Sequence, residues 1–169
     1  MQVAEGVRAV NNSNNAQMIQ PPNTLKAKVG GGRFSLDADA VARAEAALKS
    51  LSGQFAQWMQ DELDKLEGAR SEVRAKGMTA ETSEALYMRA HDLKGLGATY
   101  EFPLVTRIAA SLCKLIDNPA TRTAAPLPLV DAHIDAIKAA VRDGIRTDDH
   151  PVGKVLAEEL ETRTRQHLG

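Results

Sequence analysis

The stretch Leu86-Tyr87-Met88-Arg89-Ala90-His91-Asp92-Leu93-Lys94-Gly95-Leu96-Gly97-Ala98-Thr99-Tyr100 decides the reading of this chain. Helical periodicity, about 100° per residue, is applied with His91 at zero. Tyr100 then falls at about 180°, Leu93 at 200°, Leu86 at 220°, Gly97 at 240°, Ala90 at 260° and Leu96 at 140°. The apolar stripe lies almost opposite the histidine. Lys94 at about -60°, Gly95 at +40°, Ala98 at -20° and Glu84 at +20° surround it. An imidazole in water, one turn from a lysine and beside two very small residues, is expected. Arg89, at about 160° on the apolar side, must reach out to water or pair.

Helices are expected on either side. Leu48, Leu51, Phe55, Met59, Leu63 and Leu66 recur at steps of three and four, predicting a long amphipathic helix from Asp37 to Lys76. A bend near Ser52-Gly53 is allowed for, and Gly77 is the stop. Thr79 reads as an N-cap with Glu81 in the first turn of the next helix, which runs to about Tyr100. Pro103 opens a third, with Leu104, Ile108, Leu112, Leu115 and Ile116 as its apolar face. Asn118-Pro119 ends it, and Pro126 to Pro128 open a fourth with Val130, Ile134, Ile137, Val141 and Ile145. A last, less regular helix follows Pro151 and uses Val152, Val155, Leu156 and Leu160. The expectation is an all-α fold, an antiparallel four-helix bundle with extra terminal helices over residues 37–169. Residues 1–36, with Asn11-Asn12-Ser13-Asn14-Asn15, Pro21-Pro22 and Gly30-Gly31-Gly32, read as a flexible N-terminal tail.

Composition removes several classes of function. The 169 residues are 43% hydrophobic with a formal net charge of -1, which supports one domain and argues against nucleic acid held by bulk electrostatics. The single cysteine, Cys113, allows no disulfide framework and no Cys-rich zinc site, and it reads as packed rather than reactive. Aromatic residues are 4%, so strands have little of the material they prefer. No apolar run reaches the roughly 20 residues of a membrane span, and Met1 to Gln20 do not read as a signal peptide. A cytoplasmic monomer is expected. His133, His150 and His167 stand apart from each other and from His91, with no Glu-x-x-His pair, so no metal site is expected. His133 is placed at a polar edge of the fourth helix, and the other two at solvated ends.

The run His91-Asp92-Leu93-Lys94-Gly95 resembles the His-x-Leu-Lys-Gly core of histidine-containing phosphotransfer (HPt) domains. Leu96 to Tyr100 and the Leu-Cys-Lys-Leu run, Leu112 to Leu115, are also similar to that family. The resemblance is sharp from Leu86 to Ile116. It implies a four-helix bundle with an exposed phospho-acceptor, His91, and charge support for the phosphoryl group from Lys94. Gly95, Ala98 and Glu84 would face the partner. The implied role is a phosphorelay intermediate without kinase activity of its own. It takes a phosphoryl group from a receiver-domain aspartate and gives it to another, with no cofactor and no ATP. Response regulators and hybrid histidine kinases would supply those receivers.

Two positions depart from the family. Many members carry a second glycine ten residues after the histidine, where this chain has Glu101. Several place a glutamine on the next helix to bond the imidazole, where Cys113 stands here. Lys114 and Ser111 are the candidates for that second role. A histidine-kinase dimerisation hairpin fits less well, since Gly95 stands where Thr or Asn is usual. The reading from another class is a non-catalytic helical adaptor.

Overall fold

The computed structural model describes residues 38–169, and among them the regular structure is entirely helical. The helices are α1 (Ala38–Lys76), α2 (Ala80–Leu96), α3 (Pro103–Leu115), α4 (Leu127–Arg142) and α5 (Pro151–Leu168), with a 3-10 turn at Arg122–Ala124. Asp37 and the proposed tail lie outside the described residues.

Each boundary has a local cause. α1 stops at Gly77, whose φ of 83° is one that glycine adopts without strain. Thr79 caps α2: its hydroxyl accepts from the Thr82 amide at 3.1 Å, while the Thr82 hydroxyl accepts from the Thr79 amide at 2.9 Å. Pro103 occupies the first turn of α3, where its missing N–H costs nothing. Gly144, with φ of 67°, follows α4. That helix ends at Arg142, so Ile145 lies beyond it.

α2 ends at Leu96, a turn earlier than Tyr100, because the amides of Ala98 and Phe102 find other partners. The Ala98 amide donates to Thr106 Oγ1 at 2.8 Å, and the Phe102 amide to the Gly97 carbonyl at 2.8 Å. The chain then reverses through Glu101, a non-glycine residue with φ of 66°. This is the position where a glycine was expected from the family. Glutamate keeps the left-handed turn there, and its carboxylate pairs with Arg146.

Contacts close a ring: α1 packs on α2, α2 on α3, α3 on α4, and α4 back on α1, while α5 lies against α3 and α4. Met59, Leu66, Leu86, Leu93, Ile108, Leu112, Ile134 and Ile137 form the buried centre. Charge ties α1 to α4 as well. The buried Arg70 donates to Asp135 and Glu67, and Lys138 donates to Glu67 at 2.8 Å. Burial pushes the Glu67 carboxyl up, but those donors outweigh it and hold it below the usual range.

Three expectations are corrected. α1 is continuous through Gly53, but Leu48 and Leu51 are 66% and 44% exposed, and the first buried residue of the helix is Met59. At about 1.5 Å per residue α1 is roughly 58 Å long against about 26 Å for α2, so its first twenty residues overshoot the bundle. On α5, Val152 and Val155 are exposed, and the buried face is Gly153, Ala157, Leu160 and Thr164. Gly153 sets that rotation, since a Cβ there would meet Leu104 Cδ2 at 2.9 Å.

His133 is the third correction, being fully buried rather than at a polar edge. Its Nδ1 lies 2.7 Å from the Leu129 carbonyl, and its Nε2 lies 2.9 Å from Ser111 Oγ, which also meets Thr164 Oγ1 at 3.1 Å. A carbonyl can only accept, so Nδ1 carries the proton and Nε2 accepts from the serine. Two polar partners satisfy the ring, which is what makes its burial tolerable. Burial holds the imidazole below its ordinary 6.5, outweighing the Leu129 hydrogen bond, which raises it. Below about pH 6.5 the unfolded chain therefore binds a proton that the folded chain resists. Stability is complete above that pH and falls as the pH drops toward the folded value, by up to about 1.4 kcal/mol per unit. Melts between about pH 8 and 5 check this, and His133→Gln should flatten that part of the profile.

Candidate functional site

α2 turns Leu86, Ala90 and Leu93 fully into the core and leaves His91, Lys94 and Gly95 exposed, the rotation expected from the stripe. Arg89 resolves its awkward position by donating to Asp92 at 3.1 Å. A Cβ on Gly95 would meet nothing within 4 Å, so no neighbour in the fold requires glycine there. Ala98 is exposed in the turn after α2 and held by Thr106.

Tyr87, one turn before His91, is the neighbour that the sequence reading missed. The rings are 6.0 Å apart at 38°, as an i,i+4 pair on one face allows. The same spacing rule, applied N-terminally from His91, would have found it. The Tyr87 hydroxyl donates to Asp117 at 3.0 Å, and that bond holds its proton more tightly than usual. On its other side Tyr87 carries the Arg122 guanidinium, 4.7 Å from the ring centroid. Arg122 is buried, donates to the Asp117 carbonyl at 2.9 Å, and pairs with Glu84. Glu84 thus lies on the expected face but is engaged within the fold. No local pattern in the sequence points to Arg122, which arrives from the connection between α3 and α4.

The two candidates for a hydrogen bond to His91 are elsewhere. Ser111 is buried against His133 and Thr164, and Lys114 lines the groove between α3 and α5 with Glu161 and Arg165. Cys113 is buried, and burial pushes its thiol up to about 11, so it stays protonated at neutral pH and is a poor nucleophile. Neither nitrogen of the His91 ring has a hydrogen-bond partner among the described residues. Those residues hold no cluster of His, Cys, Asp or Glu able to bind a metal, and none of their helices is long and apolar enough to cross a membrane.

An exposed imidazole with free nitrogens, a cation one turn on, and an uncrowded surface beside it can receive an electrophile brought by another macromolecule. The Hpt domain family model matches residues 50–143, more than half of the chain, including the whole of α2 and α3. The chain belongs to the Hpt domain family. Hpt domains are phosphotransfer modules of two-component phosphorelays, work with receiver domains, and are not kinases. No curated protein and no solved structure matches the chain. The match omits residues 38–49 of α1 and all of α5, so these parts of the Hpt protein lie outside what the family describes.

Proposed function

We propose that this Hpt protein is a phosphorelay intermediate in which His91 takes a phosphoryl group from one receiver aspartate and passes it to another. The observation that supports this reading most is the exposed His91 ring, without a hydrogen-bond partner among the described residues and opposite the buried Leu86, Ala90 and Leu93. A lone pair on one ring nitrogen attacks the phosphorus of the aspartyl phosphate, and the P–O bond to the carboxyl breaks. The aspartate leaves as carboxylate, and the proton on the other nitrogen can go to water. Transfer onward reverses these steps on a second receiver. Lys94 offsets charge on the phosphoryl oxygens, while Gly95 and Ala98 leave room for the receiver surface. Glu84 acts at the edge of that surface through its pair with Arg122. We place the function in residues 37–169, as an antiparallel four-helix bundle acting in the cytoplasm without a cofactor or ATP-dependent kinase activity.

Incubation with a phosphorylated receiver tests the reading, with an acid-labile, alkali-stable phosphoryl group on the protein as the expected product. A helical adaptor takes up none. Lys94→Ala should keep the fold, because its side chain is exposed. It should slow transfer by about tenfold, the equivalent of roughly 1.4 kcal/mol in the barrier. Rapid-quench time courses in both directions check this, and unchanged rates would reduce Lys94 to a solvated surface residue.

A further inference from the structure

The overshooting half of α1 carries an apolar seam that the bundle touches only through Tyr100, at Phe55 and Trp58. Val41, Ala44, Leu48, Leu51, Phe55 and Trp58 follow one another at steps of 3, 4, 3, 4 and 3, the a and d spacing of a coiled coil over about two and a half heptads. Leu48 is 66%, Leu51 44% and Trp58 42% exposed. The seam is centred about 50° round the helix from the buried stripe of Met59, Leu63, Leu66, Arg70 and Val73. A lone helical arm of about twenty residues in water, with Gly53 inside it, is marginal by itself. Its flanking e and g positions, Ala40, Glu45, Ala47, Ser52 and Gln54, set no like charges against each other.

We propose that this seam pairs with the same seam of a second copy, antiparallel, and makes the protein a dimer. The residues are self-complementary in that orientation. About a two-fold axis between Lys49 and Ser50, Leu48 meets the copy's Leu51, Ala44 meets its Phe55, and Val41 meets its Trp58. Each small side chain faces a large one. The start of the copy's helix then reaches the level of Asp61 and Glu62, which line a shallow open depression with Trp58, Lys65 and Tyr100. Phe55 and Trp58 are already steadied by Tyr100, with ring centroids 6.0 and 5.8 Å away, so that end of the seam is preformed. Pairing about 30 Å of helix buries on the order of 600 Å² per partner, the low end for stable complexes. An area at that end of the range suits a weak, concentration-dependent dimer. Such a dimer replaces the monomer expected from the sequence, and it draws on residues 38–49, outside the Hpt match.

Sedimentation of the full chain from about 1 to 200 µM tests the proposal. The mass should rise from 18.2 kDa to twice that value across the range. A Leu48→Glu, Leu51→Glu double variant should stay at 18.2 kDa with an unchanged melt, since neither side chain touches the core. It should still take up phosphate from a receiver, so failure of the dimer and failure of phosphotransfer are separate results. Two outcomes overturn the proposal: a monomer at every concentration, which leaves the seam to another part of the chain or another protein, or a dimer that survives the double variant. Orientation is read by mixing Leu48→Cys and Leu51→Cys preparations of different tag mass under mild oxidant. The mixed disulfide should dominate, and predominance of the Leu48→Cys self-disulfide would overturn the antiparallel register.

Discussion

A His91→Gln variant should melt with the wild-type protein and take up no phosphoryl group. The side chain is exposed and its ring nitrogens have no hydrogen-bond partner among the described residues, so the change in stability should stay within about 0.5 kcal/mol. The ring contact at stake is the tilted approach to Tyr87. Uptake, by contrast, should fall to background, because a carboxamide nitrogen has no lone pair available to attack phosphorus. The other histidines offer no substitute near α2: His133 is buried and committed, and His150 and His167 belong to α5 and its cap. The measurement is a thermal melt and a phosphotransfer assay on one preparation. Uptake retained at wild-type level would move the site off α2 altogether.

The second large effect separates two glycines that look alike in the sequence. Gly97→Ala should destabilise the bundle by about 2–3 kcal/mol, lowering the melting temperature by roughly 6–9 °C. A Cβ there would stand 2.7 Å from Thr106 Oγ1 and 2.8 Å from the Thr106 amide nitrogen. Relief would require α2 and α3 to separate, and Thr106 would lose its hydrogen bond from the Ala98 amide. Backbone conformation is not the obstacle, since Gly97 has φ of -55°. Gly95→Gln is the opposite case. With open space around it, a better helix former should leave stability equal or up to roughly 1 kcal/mol higher, yet stand where a receiver must approach His91. Phosphotransfer should drop sharply while the melt holds or rises. If both variants destabilise equally, close packing does not distinguish the two positions.

The sequence by itself determined what depends on neighbours three or four residues apart. The helices, the Thr79 cap, the stop at Gly77 and the exposure of His91 opposite Leu86, Ala90 and Leu93 follow from periodicity and local hydrogen bonding. The His-x-Leu-Lys-Gly run identified the family on the same short range. Tyr87 was within that range too, one turn before His91. Only the tertiary structure decided the rest, because it depends on which faces of distant segments meet. His133 looked like an edge residue until Ser111 and Thr164, from two other helices, supplied a buried polar niche for it. Arg122 joined Tyr87 and Glu84 from a connection 38 residues beyond the glutamate. Gly97 differs from Gly95 only because Thr106 packs against one and nothing packs against the other. Leu48 and Leu51 share a heptad pattern with Phe55, but α2 is too short to cover them. Periodicity reports that a face is apolar, and the lengths of the neighbouring helices decide whether the same chain buries it.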